Sequence, residues 1–98
     1  MSIVESRKYE RTPFVNPIRY SVTISDIEKL ETIHNICISV NISEGGLGII
    51  SDYSLKEGYI LIFEEEIKIN NITAKASIVR WARKIGSDRY RVGLKFVR

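Results

Sequence analysis

Short runs in this chain alternate apolar and polar residues with a period of two, and turn residues separate them. A strand sends successive side chains to opposite faces, so this period marks half-buried strands. No stretch carries the 3.6-residue repeat of a helix longer than one turn. Ile18, Tyr20, Val22 and Ile24 alternate with Arg19, Ser21 and Thr23. Ile36, Ile38, Val40 and Ile42 form the cleanest run, with Asn35, Cys37, Ser39 and Asn41 on the other face, and this pattern points Ile42 to the core. Ser43-Glu44-Gly45-Gly46 is turn chemistry, and residues 47–50 read as a short strand after it. Residues 59–63 form another, with the alternation continuing through Ile67 and Ile69. Asn70-Asn71 suits a tight hairpin, because asparagine tolerates positive φ. Residues 72–83 pair back, Gly86-Ser87-Asp88 turns again, and Tyr90, Val92, Leu94 and Phe96 close the pattern. Ser25-Asp26-Ile27-Glu28 reads equally as one capped helical turn or as a loop.

Six strands joined by short turns must hide two sheet edges, and closure into an antiparallel barrel does so economically. The expected fold is therefore all-β, a six-stranded antiparallel barrel over residues 13–98. Residues 1–12 are polar, lack a period and end at Pro13, which reads as a mobile arm. Pro17 belongs at a strand start or edge. With 98 residues there is room for one core only.

Composition narrows the function. No apolar run approaches the roughly 18 residues of a membrane span, and the start of the chain turns charged without an apolar stretch, so a cytoplasmic protein is expected. One cysteine and one histidine are too few soft ligands for a structural zinc site. His34 and Cys37 fall on opposite sides of one strand, the wrong geometry for a nucleophile and its base, and Cys37 reads as a small buried or half-buried residue. Glu64-Glu65-Glu66 reads as a solvated acidic bend. No catalytic residues, metal or cofactor are expected.

A net charge of +3 is too mild to imply duplex DNA binding, but its placement is uneven. Arg7, Lys8, Arg11 and Arg19 cluster near the start, and Arg80, Arg83, Lys84, Arg89, Arg91, Lys95 and Arg98 crowd the end. A fold that joins the two ends builds an electropositive face suited to a small anion. Within it, Arg7 and Arg11 form an RxxxR pair, with Lys8 between them. If extended, the two arginines stand roughly 13 Å apart, enough to serve different parts of one dinucleotide. Asn41-Ile42-Ser43-Glu44-Gly45-Gly46 reads [D/N]xSxxG, a rarer pattern. Asn41 and Ser43 share a strand face, and Gly46 lets a ligand or backbone approach closely. A guanidinium matches guanine O6 and N7 bidentately, the Watson–Crick edge needs acceptors such as Asn41 or Ser43, and phosphates need further guanidinium. Trp81, on the more polar face beside Arg83, either stacks on a base or packs at the rim. Arg80 turns inward under strict alternation unless a bulge intervenes.

On these residues the chain resembles a PilZ domain, the bacterial receptor module for cyclic di-GMP. Arg7 and Arg11, Asn41, Ser43 and Gly46, and the closing Tyr90-Arg91-Val92-Gly93-Leu94-Lys95-Phe96 carry the match, in the family's order and over nearly the whole chain. The resemblance implies a Greek-key-like barrel whose N-terminal arm folds over the ligand and signals to a downstream protein partner by rearranging. Many members continue into a helix after the closing strand, whereas this sequence ends at Val97-Arg98. That departure touches the covering of the barrel end and the partner surface, and leaves the binding motifs intact. Two other readings remain: a PilZ-like protein–protein adaptor without ligand, which the intact motifs oppose, and a small barrel for single-stranded nucleic acid, which the scarcity of outward aromatics opposes.

Overall fold

The computed structural model describes residues 12–25 and 27–97. They form β1 (Thr12–Pro13), β2 (Pro17–Ser25), β3 (Leu30–Ile42), β4 (Gly46–Ser51), β5 (Ile60–Ile69), β6 (Ile72–Gly86) and β7 (Arg89–Val97), with no helix among them. The sheet order is β1-β3-β2-β5-β6-β7-β4, and β4 pairs back onto β3. Every pairing is antiparallel, so β2 to β7 close into a six-stranded barrel, as the edge argument requires. No helix of the described residues is long and apolar enough to cross a membrane.

Local chemistry accounts for the turns. Ile69 pairs with Ile72 around Asn70-Asn71, and Asn70 takes φ 52°, which asparagine accepts more readily than most side chains. Ser87-Asp88 makes the β6–β7 turn, with Asp88 at φ 54°. Between β2 and β3, Ile27 and Glu28 lie in a bend, so the loop reading of this connection holds over helix.

Tyr20, Val22, Ile49, Leu61, Val79, Val92, Leu94 and Phe96 fill the barrel. The cleanest alternation is the one whose facing differs from expectation. Cys37 and Ser39 point inward, 2% and 0% exposed, while Ile36 and Ile38 lie outward at 44% and 43%. The reason is a bulge. Ser39 opposes Ile49 and Asn41 opposes Gly48, consecutive residues of β4, so Val40 is the extra residue. The bulge reverses the phase, and Ile42 is buried after it. A second register shift, between Val79 and Trp81, turns Arg80 outward to solvent. Glu64-Glu65-Glu66 lies within bulged β5, not in a bend that interrupts it. Glu64 and Glu65 are exposed, and Glu66 stands 3.7 Å from Lys68.

Thr12 pairs with Ile42 and Pro13 with Asn41, so the boundary expected after residue 12 falls inside β1. Thr12 therefore stands beside the Asn41–Ser43 end of β3.

Candidate functional site

The antiparallel register assembles a row across the outer wall of the barrel. Pro13 opposes Asn41, Asn41 opposes Gly48, Gly48 opposes Gly93, and Gly93 opposes Trp81. Residues directly opposite share a face, so five strands contribute to one surface about 19 Å across at the usual strand spacing. Its third and fourth positions, Gly48 and Gly93, carry no side chain.

Each glycine is needed where it stands. A methyl at Gly93 would overlap Nε1 and Cε2 of Trp81, so the indole lies directly on the Gly93 backbone. At Gly48 a Cβ would stand 2.7 Å from Asn41 Oδ1 and 3.5 Å from Arg91 Nη2. The bare strand thus leaves room for an acceptor and a guanidinium to converge. Gly46 answers a different demand. A methyl there would overlap the Leu94 carbonyl oxygen, so the space is taken by the neighbouring strand. Gly46 is required by β4–β7 pairing.

Two cavities open beside the row, and Trp81 lines both. One, of about 670 Å³, is bounded by Ser43, Glu44, Gly46, Arg80, Trp81 and Lys95 among others. The other, of about 540 Å³, is bounded by Thr12, Pro13, Asn41, Gly48, Trp81 and Arg91, together with Val40. Asn41 and Ser43 flank buried Ile42 and open onto different cavities. Asn41 is half-buried, and Ser43 is 7% exposed. The Ser43 N–H donates to Gly46 O at 2.9 Å and closes a two-residue turn. The Phe96 N–H donates to Gly45 O at 3.0 Å, tying that turn to β7.

Arg83 lies directly opposite Arg91 across β6 and β7. Like charges so placed repel, and neither arginine has an acidic partner among the described residues. An anion bound between them would remove that repulsion. The arrangement can therefore hold a planar ring on Trp81 and an anion on Arg91 and Arg83, with the Asn41 amide within reach of a donor or acceptor.

Of the residues singled out in the sequence, Asn41, Ser43, Gly46 and Trp81 gather here, and Arg83 stands one row away beside Arg91. Arg7, Lys8 and Arg11 lie outside the described residues, though Thr12, next to Arg11, is fixed at the cavity wall. Arg19 is elsewhere, facing a cleft with Glu65 and Glu66. Sequence reasoning missed Arg91, Gly48 and Gly93 as members of the site. The signal was available: glycine inside a strand pattern marks a close approach of backbone, side chain or ligand, and Arg91 shares the outward phase of Gly93.

Catalytic geometry is absent from the one His/Cys pair. His34 is exposed and Cys37 buried on the other side of β3, where burial pushes the thiol up to about 12. Among the described residues no cluster of three metal-ligating side chains forms.

No curated protein matches the chain. The family model for the PilZ domain matches residues 5–98, nearly its whole length, and that match, on a closed six-stranded barrel, makes the chain a member of the PilZ domain family.

Proposed function

We propose that this protein is a non-catalytic bacterial receptor for cyclic di-GMP, acting in the cytoplasm and passing its state to a downstream protein partner. PilZ domains are generally cyclic di-GMP receptors and non-catalytic binding domains. The observation that carries the reading here is the outer-wall row from Pro13 through Asn41, Gly48 and Gly93 to Trp81, with Arg91 beside it. It sets an acceptor, a flat aromatic surface and cations at the root of the arm that carries Arg7, Lys8 and Arg11. In this reading Arg7 and Arg11 clamp phosphate and a guanine O6/N7 edge. Asn41 and Ser43 meet the donor edge, Trp81 stacks a base, and Arg83 with Arg91 receives a phosphate. Gly46 keeps the turn that presents Ser43 tight against β7.

Titration calorimetry with cyclic di-GMP, beside GTP and a short single-stranded RNA, tests it. Saturable binding of cyclic di-GMP alone is expected. Binding of RNA alone would transfer the wall to single-stranded nucleic acid, and silence with all three would leave the adaptor reading.

A further inference from the structure

Ser39 is fully buried, lies one residue before the β3 bulge, and faces the loop 14–16 that joins β1 to β2. Its hydroxyl donates to Phe14 O at 2.6 Å, with Asn16 O at 3.1 Å as the weaker alternative, since one proton serves both. The same oxygen accepts from the Asn16 N–H at 2.9 Å. The backbone repeats the connection: Ser39 N–H donates to Asn16 O at 2.8 Å, and Phe14 N–H donates to Val40 O at 3.0 Å. Phe14 packs against the core, and Pro13 and Pro17 bracket the loop with fixed φ. This three-residue connection is thereby bound to β3 at both ends.

We propose that Ser39 is a positioning residue that latches this loop and so holds Thr12–Pro13 against Ile42 and Asn41 at the cavity wall. The latch also explains the inverted phase of β3. A serine must face inward at this point to meet Phe14 O and the Asn16 N–H, and the Val40 bulge then returns Ile42 to the core. Without the hydroxyl, the Asn16 N–H loses an acceptor and Phe14 O loses its donor, and the loop is left with the two backbone bonds beside the two β1 pairs. The consequence for binding rests on the cyclic di-GMP reading; the latch itself does not.

The matched comparison is Ser51, another buried serine that latches a different loop. It donates to Tyr53 O and accepts from the Tyr53 N–H, each at 3.0 Å, and is itself buried. Ser39→Ala and Ser51→Ala should lower the melting temperature comparably, so a merely structural serine would affect binding equally in both. Ser39→Ala is expected to weaken cyclic di-GMP at least tenfold while Ser51→Ala stays within twofold of wild type. Equal losses, or no loss from Ser39→Ala, would overturn the proposal.

A second readout needs no ligand. A nitroxide on Thr12→Cys should broaden the Glu44 and Gly45 amide resonances with Ser39 present and do so measurably less with Ser39→Ala. Broadening undiminished by Ser39→Ala overturns the latch. Should that variant fail to fold, amide exchange in the wild type decides: slow exchange at Asn16, whose N–H the hydroxyl accepts, supports the latch, and exchange at the free-peptide rate overturns it. If the wild type binds no cyclic di-GMP, the functional reading falls and the nitroxide measurement still decides the latch.

Discussion

Arg11 separates specific recognition from mere positive charge. Lysine there keeps the charge and loses the planar fork that meets guanine O6 and N7, or two phosphate oxygens, together. If Arg11 makes such bidentate contacts, Arg11→Lys should cost about 1–3 kcal/mol of cyclic di-GMP affinity with stability unchanged. Calorimetry of the variant checks this, and affinity within a factor of two of wild type would sink the clamp. Gly93 tests the aromatic surface from beneath. A methyl there must displace the half-exposed Trp81 indole, which is free to swing outward, so the barrel should survive. Gly93→Ala should therefore shift tryptophan fluorescence and cost about the 1–3 kcal/mol of one base stack. Unchanged affinity with a displaced indole would remove Trp81 from the site. Cys37 carries a different consequence of burial. Its folded pKa is raised from 9.0 to about 12, so its contribution to stability is full below pH 9 and is lost as pH climbs toward 12. The slope for this one proton is at most about 1.4 kcal/mol per pH unit. Urea melts from pH 8 to 11 should show the fall, and Cys37→Ala should flatten it between pH 9 and 10. Tyr20, whose pKa burial also raises, keeps a fall above that range in both proteins.

Among the elements, β3 does the most to position the site, since it pairs with β1, β2 and β4 along one thirteen-residue strand. Its facing was misread from the alternation of isoleucines, because a bulge adds one residue without changing the composition. Ile36 and Ile38 look like core residues in sequence and sit outside, while Cys37 and Ser39 fit the interior. The turn at Ser43-Glu44-Gly45-Gly46 and the hairpin at Asn70-Asn71 were legible, because their backbone demands are met by the residues themselves. The arm is the remaining element. Its arginines precede β1, whose pairing to Ile42 and Asn41 brings the arm's root to the cavity wall. If ligand contacts order it, amides of residues 7–11 should gain hydrogen-exchange protection on adding cyclic di-GMP and not on adding GTP. Equal exchange in both conditions would exclude an arm-based switch.

For the molecule as a whole, ligand binding and folding are linked. Cyclic di-GMP at about 100 times its dissociation constant should add roughly 2.7 kcal/mol to stability. For a domain of this size, where 1 kcal/mol moves the midpoint by about 4–8 °C, the melting temperature should rise by about 10–20 °C. A thermal melt with cyclic di-GMP against one with GTP checks it, and no rise at saturation would favour the adaptor reading. Thr12, which follows Arg11, lines the same cavity as Arg91, whereas Arg19 faces away toward the acidic stretch of β5.

The amino-acid sequence alone determined the number of long strands, their antiparallel closure, the two-residue turns and the residues of the NxSxxG pattern. All of these follow from period, turn chemistry and the need to hide edges, which operate over a few neighbouring residues or on the chain as a whole. The tertiary structure decided which side of β3 faces inward, that Arg80 points outward, that Thr12 and Pro13 join the sheet, and that Arg83 opposes Arg91. It also decided that Trp81 rests on Gly93. Each of these depends on register between strands distant in sequence. One unmatched residue, Val40 or Arg80, reverses the facings that follow it, and its place is set by the register of the partner strand.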